Sequence, residues 1–361
     1  MAILFLAVFV FSAWGVHFRR RDLELKFLSR DFCDAVKGIC ICLVFIRHVW
    51  PYVEIAGYVS PCLIAKIGSV INGSIGQLLV APFLFFSGFG VMESVRNKGV
   101  AYVRAMPKRR LLSTMLNFDI AVLLFAALAF FFGRKISINR ILLAFVGWSD
   151  VGNSNWYIFD IVILYALFWM TFAVWYRFSR TDGTAFSRAL DPVVSVTVLS
   201  ILMSLVLRCS GKNGYWFNTI LCFPAGVWFS FYSQFLLKQA SSSLRFWTIF
   251  IVSAVAFCVA HALSRTLPPL FGNAGAVLFS WLGCLFVGKT TYRKPCIALA
   301  WAESVSHLHL PADSDDSLLP RQWRAICRLP SIFVRRGVFC FDALHRGGMA
   351  TVRRSPEMRP R

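Results

Sequence analysis

The sequence predicts an all-α protein, a polytopic membrane bundle of about nine transmembrane helices. Two observations carry that prediction. Of 361 residues, 58% are hydrophobic and 15% charged, with a mean hydropathy of +0.65, which is too apolar for a soluble globular domain. Nine apolar runs approach the roughly 17–25 residues that a helix needs to cross a bilayer: 2–18, 33–50, 70–92, 111–132, 155–176, 192–209, 215–236, 246–263 and 269–288.

Each run has its own justification. Charges follow residues 2–18 instead of preceding them, and no small-residue cleavage site appears, so this run reads as a spanning helix with its N-terminus outside and not as a signal peptide. Run 33–50 is apolar except for Asp34, Lys37, Arg47 and His48, and run 70–92 is rich in Gly. The six later runs likewise alternate with short loops, and the loops between the nine runs together hold 22 of the 38 Lys and Arg. Loops 19–32, 93–110, 177–191 and 237–245 contain 16 Lys and Arg, whereas 51–69, 133–154, 210–214 and 264–268 contain 6. The first set is therefore expected in the cytoplasm. The net charge of +21, which in a soluble domain would point to nucleic acid, here belongs to a membrane protein's cytoplasmic loops, and no nucleic-acid partner is expected.

Residues 1–294 read as one membrane domain. Residues 296–361 carry ten Arg and no Lys, while 1–295 carry 18 Arg and 10 Lys, and the apolar periodicity ends after Ile297. The segment 295–361 therefore reads as a basic cytoplasmic tail, either disordered or a non-native, frameshifted continuation. Eleven Cys without a CxxC pair, with Cys40, Cys42, Cys222, Cys258 and Cys284 inside apolar runs, exclude a disulfide framework or zinc cluster as the organising idea. His307 and His309 find no converging ligands, so no metal site is expected, and His261 reads as interfacial. Gly211-Lys212-Asn213-Gly214 lacks phosphate-loop spacing and reads as a tight outer turn.

An ionisable residue inside a spanning helix is costly enough to mark function. Lys37 and His48 are eleven residues apart, which at about 100° per residue brings them back onto one stripe about 16 Å long, through Ile41 and Val44. Asp34 lies one turn from Lys37. A cation at the cytoplasmic end and an imidazole deeper in the membrane suit a substrate with an anionic carrier inside and a reacting centre further out. The plainer reading has Lys37 snorkelling to the interface and His48 beside Trp50 and Pro51 at the other.

The run from Asp34-Ala-Val-Lys37-Gly38 to His48 resembles the first core helix of the acyltransferase family 3 membrane proteins, whose hallmark is a basic residue eleven positions before a His. The family usually has Arg there, so Lys37 departs from it in losing bidentate geometry. Three further segments follow in the family's order. Pro82–Phe89, with Ser87-Gly88-Phe89, is similar to its FF-x-x-SGF run. Tyr102–Arg110, with Arg104, Lys108, Arg109 and Arg110, resembles its basic segment. Asn155-Trp156-Tyr157-Ile158-Phe159-Asp160 with Tyr165 resembles its tryptophan-led helix start. Taken singly, these segments also read as a small-residue packing notch, a positive-inside cluster and an aromatic belt.

The resemblance implies a membrane O-acyltransferase of the surface-polysaccharide acetylase type, in a bacterial-type cytoplasmic membrane. It would move an acyl group, expected to be acetyl, from acyl-CoA as co-substrate to a hydroxyl of a cell-surface or exported glycan or glycolipid, with no bound cofactor. His48 would be the general base, and Lys37, Arg109 and Arg110 would hold the donor phosphates. Asp34, Ser87, Trp156 and Asp160 would shape and support the pore. The family core has about ten helices, and its last, with a Ser-Tyr and a terminal His, has no counterpart after Cys296. Two alternatives remain: a transporter or lipid-linked sugar flippase using Lys37, His48 and Asp160 without covalent chemistry, and an inactive truncated family member.

Overall fold

The computed structural model describes residues 16–18, 40, 43, 44, 47, 48, 76–152, 154–178, 190–240 and 242–292. The elements are β1 (Val16–Phe18), α1 (Ala81–Met106), α2 (Ser113–Phe131), α3 (Ile138–Phe145), α4 (Trp156–Phe178), α5 (Leu190–Cys209), α6 (Cys222–Gln239), α7 (Ser243–Leu263), α8 (Asn273–Gly288) and β2 (Thr290–Tyr292). A π-helical turn, Pro107–Leu112, links α1 to α2, a 3-10 turn spans Gly214–Trp216, and a second π turn, Pro268–Gly272, leads into α8.

Among the described residues five stretches are long and apolar enough to cross a membrane: Ala81–Phe131, Trp156–Phe178, Asp191–Cys209, Ser243–Leu263 and Pro268–Phe286. Their outward faces are apolar, as Phe130, Phe131, Leu244, Ile251 and Val252 show on α2 and α7, and hydrocarbon is the solvent such faces require. The protein is an integral, multi-pass membrane protein whose described residues are helical apart from one short strand pair and include about five long apolar helices. The central helix α6 carries Gly226, Ser230, Ser233 and Gln234, is less apolar, and buries much of its surface against α1 and its neighbours.

Three expectations change. The expected loop 93–110 is helical: α1 begins at Ala81, eleven residues after the start of the run at 70, and continues to Met106 and through the π turn into α2. Its break is a single residue, Gly99, at φ 53° and ψ −137°, a conformation open to glycine and strained for residues with a Cβ. Phe83 near the start of α1 meets Tyr157 near the start of α4 at 6.2 Å, and Gly99 lies by Tyr176 near the end of α4. Phe118 and Val122 of α2 pack with Val151 and Ile158, back at the starting level. The chain therefore reverses at Gly99, and Arg104–Arg110 lie within the returning rod. Residues 100–131 rise about 48 Å, against a hydrocarbon core of about 30 Å, so the rod is long enough to carry its basic end beyond the apolar layer.

The expected run 215–236 yields a helix only from Cys222, because Gly214–Trp216 and the irregular stretch to Leu221 precede it. In the expected first span, residues 16–18 are a strand paired antiparallel with Thr290–Tyr292, with His17 opposite Thr291; the rest of that run lies outside the described residues. In 33–50 the described residues 40, 43, 44, 47 and 48 are helical. The tail expectation falls wholly outside the described residues, as do His307 and His309.

The core is built on the crossing of α1 with α6. A Cβ on Gly88 would collide with the carbonyl oxygen of Phe223, and one on Gly226 with that of Phe85. Only glycine lets two backbones approach this closely. Ser230 Oγ donates to Glu93 Oε1 at 2.5 Å, and Arg96 Nη1 donates to Ser230 O at 2.8 Å and Glu93 Oε1 at 2.9 Å, clamping the same pair of helices. Around them Phe168, Phe172 and Phe223 are fully buried, with Phe168 and Phe172 stacked at 4.3 Å.

Candidate functional site

At the end of the bundle where α4 and α6 begin, an aromatic layer assembles from three segments. Trp148, in the connection before α4, contacts Phe159 at 5.5 Å and Trp216 at 6.1 Å, and Phe159 contacts Trp216 at 5.5 Å. Lys212 Nζ lies 3.9 Å from the Trp148 ring centroid and 4.1 Å from that of Trp216, and donates to Trp148 O at 2.8 Å. Each such ring contact is worth about 0.5–1 kcal/mol at a partly exposed site. The loop holding Trp148 is fixed in turn by Arg140, whose Nη2 meets Asp150 Oδ1 at 2.9 Å and whose Nε donates to Asp150 O at 2.8 Å.

Desolvation between the two indoles pulls the Lys212 ammonium below the ordinary lysine range, and the nearby Asp150 partly offsets this. The unfolded chain then binds this proton more tightly than the folded one. Stability therefore rises with pH between the folded value and the ordinary lysine value of about 10.4. Thermal unfolding in detergent across alkaline pH should show a steeper rise in the native protein than in Lys212→Met. Identical slopes in the two would show that burial does not disfavour the Lys212 charge.

The residues named from the sequence are only partly brought together. Trp156 joins the aromatic layer, 5.9 Å from Tyr215 and 6.2 Å from Tyr157. Asp160, one turn further into α4, is 0% exposed, and neither carboxyl oxygen has a hydrogen-bond partner. Arg109 and Arg110 diverge: Arg109 is exposed, whereas the Arg110 guanidinium turns inward, 6.0 Å from the centroid of Tyr165 on α4. Tyr102, on the same rod as Arg110, is buried and interacts with the Arg110 guanidinium. Ser87 is half-buried on α1 beside the Gly88 crossing. His48 is helical and exposed, while the neighbouring Arg47 places its Nε against Gly76, where a Cβ would stand 2.8 Å away. Lys37 and Asp34 lie outside the described residues. An open recess of about 320 Å³ between α4 and α5, lined by Met170, Val174, Trp175, Asp191 and Pro192, includes none of these residues. Among the described residues no three His, Cys, Asp or Glu side chains converge as a metal group would require.

Two features were not anticipated. The sequence around Lys212 reads only as a turn, since nothing in the spacing of Trp148, Lys212 and Trp216 announces that they meet. A second polar knot joins α5, α6 and α8. Asn273 Nδ2 donates to Phe217 O and Pro269 O at 2.7 Å each, and its Oδ1 accepts from Leu221 N at 2.8 Å, while Ser204 Oγ donates to Phe217 O at 3.1 Å. Asn at the start of an apolar run is the one sequence signal for it. Comparisons of the chain with family models, with curated proteins and with solved structures each return no match.

Proposed function

We propose that this protein is a membrane O-acyltransferase that moves an acyl group, acetyl in the simplest case, from cytoplasmic acyl-CoA to a hydroxyl of an exported or cell-surface glycan or glycolipid. The observation that carries the reading is the contact of Arg110 with Tyr165. It joins two segments resembling the acyltransferase family, the basic segment and the tryptophan-led helix, in one place. In this scheme the basic end faces the cytoplasm of a bacterial-type membrane, with Lys37 and Arg109 meeting donor phosphates and Arg110 supporting them from within the bundle. His48 takes the proton from the acceptor hydroxyl as its oxygen attacks the thioester carbon, since an alcohol is a weak nucleophile until its proton leaves; the C–S bond then breaks, and the imidazolium returns the proton so that CoA departs as the thiol. Ser87 is a candidate hydrogen-bond donor to the thioester carbonyl.

The test is transfer of labelled acetyl from acetyl-CoA to membrane glycan in vesicles holding the protein. His48→Ala should lower the rate by about 10²–10⁴-fold, the usual contribution of a general base, with acyl-CoA binding retained. Full transfer by that variant would remove His48 from the mechanism. A second reading, transport of a lipid-linked sugar without covalent chemistry, is favoured by one observation, the unpaired carboxyl of Asp160 inside the bundle.

A further inference from the structure

Two fully buried side chains have no hydrogen-bond partner where α4 runs beside residues 214–223. Asp160 is 0% exposed with both carboxyl oxygens unpaired, and Thr219 is 0% exposed with Oγ1 unpaired. Ring contacts between the two segments fix their level. Trp156 meets Tyr215 at 5.9 Å and Phe159 meets Trp216 at 5.5 Å; further along, Tyr165 and Phe168 meet Phe223 at 5.9 Å and 6.1 Å. Asp160 lies between those contacts on one segment and Thr219 between them on the other. Around the α4 axis, Asp160 is about 40° from Trp156 on one side and about 80° from Phe168 on the other. It is thus directed at the stretch that joins Tyr215 to Phe223, whose middle is Thr219.

That stretch is not helical. Residues 217–221 separate the 3-10 turn from α6, and the neighbouring Asn218 side chain, whose Oδ1 is also unpaired, lies against Gly272 and Gly214. A carboxylate enclosed without a counter-charge is costly, and the atoms left unpaired here are oxygens. Carboxylate and hydroxyl oxygens are donors for hard cations, and residues 217–221, part of the connection from α5 to α6, place backbone oxygens in the same non-helical stretch. We propose that Asp160 and Thr219 bind a monovalent cation of the Na⁺ class between α4 and the non-helical connection that precedes α6. This deepens the second reading by naming the ion. The experiment below reads cation binding alone, so its failure leaves the acetyl-transfer test untouched.

The full-length protein in native membranes would be treated with a hydrophobic carbodiimide, which modifies buried carboxyls, and the adduct on Asp160 quantified by mass spectrometry, with Asp160→Asn identifying it. Na⁺ at about ten times its dissociation constant should slow the modification about tenfold, and choline should not. Thr219→Val, which keeps the side-chain volume, should still be modified at Asp160 but lose most of the Na⁺ protection. Equal rates in Na⁺ and choline would mean that Asp160 carries a proton only, and would overturn the proposal. So would the absence of any Asp160 adduct, or full Na⁺ protection in Thr219→Val.

Discussion

Gly88→Ala and Gly226→Ala should each destabilise the solubilised protein by about 1–3 kcal/mol, the cost of forcing a methyl group into a packed contact. The upper end is expected, because the collision is with backbone carbonyls of Phe223 and Phe85 and not with side-chain tips that could turn away. The two positions occupy one crossing, so the double variant should lose less than the sum. Thermal unfolding in detergent measures all three, with Ser87→Ala as a neighbour that should stay near native stability. If Gly88→Ala also unfolds like the native protein, the α1–α6 crossing is looser than described.

Asn273→Ala should cost about 1–3 kcal/mol, the penalty of leaving a buried polar group unpaired. The group left behind is the Leu221 N–H, which loses its side-chain acceptor, whereas Phe217 O retains Ser204. Asn273→Asp keeps the acceptor and removes the two short donor bonds, so it separates the two sides of the knot. Because Leu221 sits at the entry to α6, hydrogen exchange in residues 217–225 should rise in the Ala variant. Unchanged protection there would mean that α6 starts without help from α8.

Where residues are apolar for a helix length and flanked by charge, the fold was legible. Run 155–176 became α4, 192–209 became α5, and 246–263 became α7, each within a few residues. Hydropathy failed where polarity and backbone conformation part company. Arg96, Lys98 and Arg104 look like a loop on any apolarity scale, yet each continues a helix, and the break falls at Gly99 alone. The opposite error occurred at 215–221, which is apolar but not helical. Tertiary contacts explain that case, since Phe217 O and Leu221 N are taken by Asn273 instead of by an extra turn of helix.

For the candidate site, the family resemblance singled out Trp156, Asp160 and Arg110, all of which meet aromatic or buried surroundings. Spacing within one helix could not reveal that Arg109 and Arg110 part, because 100° between neighbours allows either to face inward. Nor could it reveal Lys212 between two indoles, a contact across 64 residues of chain on one side. The separation of His48, exposed, from Asp160, enclosed, is likewise a property of packing.

The reversal at Gly99 also bears on how the chain enters a bilayer. With one residue between two helical rods there is no tether long enough for the first to settle while the second waits in water. The two rods meet as a tight hairpin, and Arg96, Lys98 and Arg104 around its tip resist being drawn through the apolar layer. A bulkier residue at position 99 would then act during biosynthesis, before any finished fold exists to be weakened.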